Sequence, residues 1–189
     1  RQFEIARAAR FVKGSGLPVN IPVIEMIEIG AGGGSIAAVA RLGRLGVGPR
    51  SAGSEPGPAA FGRGGDAPTV TDADIALGYI QPDRFAEGHI AVNAQAARAV
   101  LARDIGVPLG LDADGAADGV SRIVDEAMAS AARMHAVESG KDLGARTMIA
   151  FGGNGPVHAT RVARSAGISR ILVPPNPGIG SAVGFLFAP

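Results

Sequence analysis

Apolar positions along the chain change period several times. In the first thirty residues they form two β-like runs, Gln2–Val12 and Val19–Ile29, separated by Lys13-Gly14-Ser15-Gly16-Leu17-Pro18, whose glycine and proline residues punctuate a turn. A hairpin or two neighbouring strands is predicted. From Gly30 to Gly65 the periodicity dissolves into 12 glycines in 36 residues plus Pro49, Pro56 and Pro58. No helix of normal length survives that density, except a short one through Ser35–Leu42. Thr69–Ile80 supports two readings, because Val70-Thr71 favours a strand whereas Asp72–Leu77 suits a capped helix.

The second half is more regular. Ala97, Val100, Leu101 and Ile105 recur at helical spacing until Gly106 and Pro108, which predicts a helix over 92–105. A longer helix follows Asp112, with Ala116, Val120, Ile123, Val124, Ala127, Met128, Ala131 and Met134 on one apolar stripe as far as Gly140. Thr147–Phe151 then reads as a short buried strand, Gly152-Gly153-Asn154-Gly155 as a tight turn, and Pro156–Ala166 as a helix closed by Gly167. Ser169–Val173 is a further strand, Pro174–Gly178 a rigid loop and Gly180–Phe187 a last helix. Strand, helix and strand in this order predict an α/β unit with parallel strands and a right-handed crossover.

Composition narrows the function classes. With 189 residues, 47% hydrophobic and 19% charged, the chain is long enough for one ordinary domain or two small ones. Eighteen Lys+Arg against 17 Asp+Glu leave a formal net charge of +1, too balanced for a phosphate-backbone footprint, so nucleic acid is not an expected partner. The lack of cysteine excludes disulfides, thiolate nucleophiles and Cys-ligated metals, and points to a reducing, cytoplasmic setting. Apolar stretches fall short of the ~20 residues of a membrane span and no signal-peptide pattern opens the chain, so neither membrane nor export is expected. Arg1 in place of an initiator Met suggests a piece of a longer protein.

Three constellations could carry chemistry. Ile27-Glu28-Ile29-Gly30-Ala31-Gly32-Gly33-Gly34-Ser35 puts a glycine run after a strand, where backbone N–H groups can converge on an anion and Ser35 can cap a following helix. It has no Walker-type Gly-Lys-Ser/Thr; a turn that needs glycine for close packing fits equally well. Phe151-Gly152-Gly153-Asn154-Gly155-Pro156-Val157-His158 sits where a strand's carboxyl end meets a helix N-terminus, the place where open α/β sheets bind nucleotides. His158 falls in the first helical turn, where the dipole favours its neutral form and a local hydrogen bond is expected. The Gly/Pro loop over Val47–Pro58 and Phe61–Asp66 offers Arg50 and Arg63 to an anion, while Glu28, Glu55, Asp72 and Asp74 offer hard oxygens to a divalent ion. A solvated or capping role is the alternative for each carboxylate.

The strings Ile29–Ala37, Val47–Pro58, Phe61–Gly65, Pro68–Asp72, Phe151–Ala159 and Val173–Leu186 resemble, in order and spacing, the hydantoinase/oxoprolinase family, over essentially the whole chain. The resemblance implies an A-type subunit or domain of the actin/Hsp70/sugar-kinase-like ATPase fold, seen in part, with ATP and Mg²⁺ as cofactors and a B-type subunit as partner. It implies ATP-dependent opening of a small cyclic amide (hydantoin, oxoproline or lactam), with ketone carboxylation or a non-catalytic nucleotide-responsive module as alternatives. Residues 1–90 would then be a strand pair plus the Gly/Pro-rich loop region, and 91–189 an α/β adenosine-side subdomain, truncated at both ends. Gly152, Gly153, Asn154 and Gly155 match the adenosine-side motif, although Asn154 stands where the family usually has a small residue. Gly32, Gly33 and Gly34 are further candidate cofactor contacts, Glu28, Ser35 and Asp72 the candidate catalytic groups, and Asp72 with Asp74 the candidate metal ligands. The family's two Asp-x-Gly-Gly-Thr phosphate strings do not occur here and are expected upstream. Residues 1–189 alone should therefore neither hydrolyse ATP nor open a lactam.

Overall fold

The computed structural model describes residues 2–5, 16–20 and 27–187. β1 (Gln2–Ile5) pairs antiparallel with β2 (Leu17–Asn20), Gln2 facing Asn20 and Ile5 facing Leu17. This agrees with the hairpin or strand-pair expectation. The remainder of those two runs, 6–12 and 21–26, and residues 13–15 of the turn lie outside the described residues. Residues 27–29, expected to end the second strand, are irregular.

Ser35 begins a strand, correcting the expected Ser35–Leu42 helix. β3 (Ser35–Val39) and β4 (Leu45–Ser51) form an antiparallel hairpin. Its β-branched Ile36, Val39 and Val47 suit a pleated, half-buried ribbon better than a helix flanked by glycines. The loop beyond β4 is ordered by its own backbone contacts. At Gly65 a Cβ would stand 2.1 Å from the Gly57 carbonyl oxygen, a separation only glycine permits.

The strand-or-helix ambiguity at 69–80 resolves as helix α1 (Val70–Ala76), and the reason is its capping box. The Thr69 hydroxyl accepts the Asp72 N–H while the Asp72 carboxylate accepts the Thr69 N–H. The predicted 92–105 helix is shorter: α2 (Ala94–Leu101), capped by Asn93, gives way to a π-helical turn over Ala102–Gly106 and the single turn α3 (Val107–Leu109). α4 (Ala113–Glu138) starts on the Asp112 cap as expected and runs for 26 residues.

The strand–helix–strand order and the parallel pairing are as predicted, but the first strand is shorter than 147–151 and is not buried, Ile149 being 60% exposed. β5 (Thr147–Ile149) and β6 (Arg170–Leu172) are parallel neighbours, Met148 opposite Ile171, with α5 (Gly155–Ala166) between them in sequence and α6 (Gly180–Phe187) following. Three hydrophobic clusters hold the described residues together. The largest gathers Ala37, Val70, Ala73, Leu101, Ile105, Ala116, Ala117, Val120 and Val124, so it draws on both sides of residue 90. Burying each of its larger aliphatic chains is worth about 1.5–3 kcal/mol. A second cluster joins Ala60, Ile75 and Ala97, and a third packs Ala129 of α4 on Val162 and Ala166 of α5. Among the described residues no helix is long and apolar enough to cross a membrane.

Candidate functional site

α1 lies between the two glycine segments and touches both. At its start the Thr71 N–H donates to the Gly33 carbonyl at 2.8 Å, and a Cβ on Gly33 would meet the Thr71 hydroxyl at 2.7 Å and the Asn154 amide nitrogen at 3.6 Å. Gly33 is therefore glycine because α1 crowds it, while the 152–155 turn lies at ordinary contact distance. Within the loop, the Gly32 N–H donates to Ser35 Oγ (2.9 Å), the Ser35 N–H to the Gly32 carbonyl (2.9 Å), and the Ala52 N–H to the Gly34 carbonyl (2.9 Å). Ser35, buried and at the head of β3, thus closes the glycine turn; it caps no helix and its hydroxyl is engaged within the loop. A Cβ on Gly32, by contrast, would meet no protein atom within 4 Å.

The second glycine segment connects β5 to α5. A Cβ on Gly152, Gly153 or Gly155 would again meet nothing within 4 Å, and Gly152 holds φ +93°, which strains any L side chain. These glycines leave an open face at the N-terminal end of α5, whose dipole favours negative charge. Asn154 turns inward: its amide nitrogen donates to Asp74 Oδ2 at 3.1 Å and lies 3.2 Å from His158 Nε2. The two glycine segments, Asp74 and the start of α5 therefore meet.

Two of the proposed carboxylates have different fates. Asp72 is fully buried and its oxygens accept from the N–H groups of Ala59 (3.3 Å), Ala60 (2.8 Å) and Thr69 (2.9 Å) and from the Thr69 hydroxyl (2.8 Å). Four donors fill its lone-pair directions, which corrects the expectation that it holds an ion or acts on substrate: it is a helix cap that pins the 59–61 segment to α1. Asp74, also fully buried, faces Asn154 and, at 3.4 Å, His158 Nε2, while its buried Oδ1 has no hydrogen-bond partner among the described residues. Among the described residues no three His, Asp or Glu side chains assemble a metal site, so the Asp72–Asp74 metal pair does not fit a divalent ion as drawn from sequence. Glu28 is exposed on the irregular stretch before the glycine run, and Arg50, Glu55 and Arg63 are exposed on the loop.

His158 corrects a further expectation. It is 3% exposed, and its Nδ1 pairs at 2.8 Å with Asp125 of α4, 33 residues away. Burial pulls the imidazole pKa down, but hydrogen bonds to Asp125 and Asp74 and the charge of both carboxylates outweigh it and push it up to about 9. The helix dipole, worth about 0.3–1 kcal/mol, does not prevail over two buried carboxylates. Arg161 completes the seam. It reaches Ser121 (3.1 Å) and Asp125 (3.4 Å) and lies 4.8 Å over the ring of Tyr79. Sequence reading missed Asp125, Ser121 and Arg161. The available signal was Ser121 and Asp125 at i, i+4 within the apolar stripe of α4, two polar interruptions that require a buried partner.

A family model described as Hydantoinase/oxoprolinase matches residues 1–189. The chain belongs to the hydantoinase/oxoprolinase family. It is 41% identical over 156 residues to the caprolactamase subunit alpha of Pseudomonas jessenii, covering 82% of this chain and 22% of that protein. It is 47% identical over 141 residues to the acetophenone carboxylase gamma subunit of Aromatoleum aromaticum, covering 74% and 19%. The crystal structure of the ATP-dependent caprolactamase from Pseudomonas jessenii superposes with a TM-score of 0.80 at 40% identity, over 88% of this chain and 24% of that one. The α/β architecture is thus shared with solved relatives in this family, and several relatives are named as subunits. The chain spans about a quarter or less of the length of the first curated relatives that it matches.

Proposed function

We propose that this hydantoinase/oxoprolinase-family chain supplies the adenosine side of an actin-like ATPase fold in a larger, cytoplasmic, ATP-dependent amidohydrolase that opens a cyclic amide together with a B-type subunit. The observation that carries the reading is the open glycine face of Gly153 and Gly155 at the start of α5, with Gly32 on the neighbouring loop: positions where an added Cβ would meet nothing within 4 Å among the described residues. Such surface suits close approach by a planar or sugar group, and the helix N-terminus behind it suits an anion. In the two-part division, residues 91–189 hold this face and 1–90 the glycine loop that abuts it.

ATP, when bound, supplies a phosphoryl group that turns an unstrained amide carbonyl into a good electrophile. The residues of this chain do the holding. Gly152, with its positive φ, turns the backbone at the strand end; Asn154 ties the turn to α1; Gly33 brings the other loop against α1 through Thr71, while Gly34 ties that loop to Ala52 just beyond β4. Glu28 is the exposed carboxylate free to face substrate from the approach to that loop. The described residues do not present a magnesium cluster, so this reading places the ion and the phosphates on other parts of the whole protein.

The 47% identity to an acetophenone carboxylase subunit favours one second reading, ATP-dependent carboxylation of a ketone. Steady-state ATP hydrolysis by the full-length protein with its partner separates them. Stimulation by lactams or hydantoins supports amide opening, stimulation only by ketone plus bicarbonate supports carboxylation, and turnover indifferent to both with no nucleotide binding overturns the enzyme reading.

A further inference from the structure

One buried ring stands where the two glycine segments are joined. From α1 it is faced by Asp74, fully buried; from α4 by Asp125, 4% exposed; from its own segment by Asn154 and, through Asp125, by Arg161. Arg161 is in turn held by Ser121 and, at 3.8 Å, by Asp118 of α4. A histidine in this setting would be a plain core residue if its nitrogens met main-chain groups. Instead both nitrogens meet side chains that can be charged or can rotate.

The geometry couples the proton on Nε2 to the number of bonds that hold Asn154. One hydrogen of the Asn154 amide goes to Asp74 Oδ2 at 3.1 Å. When Nε2 is bare, it can accept the other, across 3.2 Å, and the turn is gripped at two points. When Nε2 carries a proton, two donors face each other across that distance, the ring N–H turns to Asp74 Oδ2 at 3.4 Å, and Asn154 keeps one bond. Asp125 accepts from Nδ1 in both states, so the ring does not leave its seat.

We propose that His158, seated between Asp74 and Asp125, is a positioning residue that sets how firmly the Asn154 turn, and with it the Gly153 and Gly155 face offered to a nucleotide, is held against α1. The inference rests on reading that face as the nucleotide subsite. A turn held at two points is better organised for its ligand, so deprotonation of the ring should tighten nucleotide binding. Asp74 and Asp125 act through the ring: Asp125 by fixing which nitrogen carries the constant proton, Asp74 by receiving either the ring or the amide.

The experiment uses the full-length protein with its partner subunit and two readouts. In the nucleotide-free protein, deuterium exchange at the His158 C2 position, followed by mass spectrometry from pH 6 to 10, reports the ring's titration. Its midpoint should lie near 9, should fall in Asp125→Asn, and should survive in Asn154→Ala. Equilibrium binding of ATP across the same range should tighten about fivefold through that midpoint, the worth of one net hydrogen bond. The step should vanish in His158→Gln and in Asn154→Ala. A step that persists in either variant overturns the proposal, as does flat ATP binding in a wild-type protein whose His158 titrates normally; both leave the nucleotide reading intact. A wild-type protein that binds no ATP at any pH overturns the nucleotide reading and this inference with it. Asp125→Asn keeps the shape of the seam, so a misfolded His158→Gln would still leave the shift of the binding step with the ring's midpoint to decide the matter.

Discussion

Asp72 and Asp74 sit two residues apart on the same short helix, both fully buried, and their surroundings are opposites. Around Asp72 the donors come from the main chain at 59, 60 and 69 and from the Thr69 hydroxyl, so the carboxylate is held chiefly by main-chain groups that cannot rotate away. Around Asp74 the partners are side chains from the 152–158 segment, one of them titratable, and one oxygen has no hydrogen-bond partner among the described residues. The contrast separates two uses of a buried carboxylate. Saturated by backbone, it fixes a fold; met by mobile or ionisable side chains, it leaves the site adjustable.

The largest expected effect breaks the Asp72 side of this contrast. Asp72→Ala strands three buried N–H groups, each costing about 1–3 kcal/mol, and should destabilise the protein by about 4 kcal/mol in chemical denaturation. If excess divalent cation restored activity to a variant of unchanged stability, Asp72 would be a metal ligand after all. On the seam, Asp125→Ala should cost less, about 2 kcal/mol, because His158 can shed its proton once the carboxylate is gone. A loss as large as that of Asp72→Ala would show that the seam is as rigid as the cap.

Two glycines sharpen the comparison further. Gly33→Ala drives a Cβ to 2.7 Å from the Thr71 hydroxyl and should cost about 1–2 kcal/mol, with Thr71→Ala in the same chain recovering most of it. pH should act on the seam alone. The folded His158 pKa of about 9 lies above the unfolded 6.5, so its contribution is complete below pH 6.5 and lost as pH rises through about 9. Denaturation at pH 6.5 and 9.5 should show that loss in wild type and less of it in Asp125→Asn. The smallest effect on stability is expected at Gly153→Ala, within about 0.5 kcal/mol because its Cβ meets nothing, whereas Gly153→Val should still raise the KM for ATP strongly. Unchanged ATP kinetics in Gly153→Val would reduce the turn to a structural one.

The legibility of the chain follows the range of the forces involved. The Asp112 cap, the stripe of α4 and the parallel β5–α5–β6 unit were readable because each is encoded by spacing within twenty or so residues. Even there the stripe overreached: Met134 is 60% exposed, and Ala136 is the buried position of that turn. The β3 strand was missed because glycines on both sides obscured the β-branched residues between them. α1 was ambiguous because its decisive element, the reciprocal Thr69–Asp72 cap, competes with the β-propensity of Val70-Thr71. At the site, the two glycine segments were legible one by one, but not their meeting, which is made by long-range contacts of Thr71 and Asp74. The His158–Asp125 pair was harder to read, because the one local signal, polar Ser121 and Asp125 within the apolar stripe of α4, does not say which residue 33 positions away is the partner.

α4 has a mechanical consequence. At 1.5 Å per residue its 26 residues make a rod of about 39 Å. Its N-terminal half packs Ala116, Ala117, Val120 and Val124 into the α1 core, and farther along Ala129 grips α5. A single beam clamped at both places cannot hinge between them without breaking its own hydrogen bonds. Relative motion of α5 and the α1 core is thereby expected to take the form of shear, α5 sliding along the beam by small displacements, and the Asp125–His158 contact lies between α4 and α5, where such displacement would first be felt.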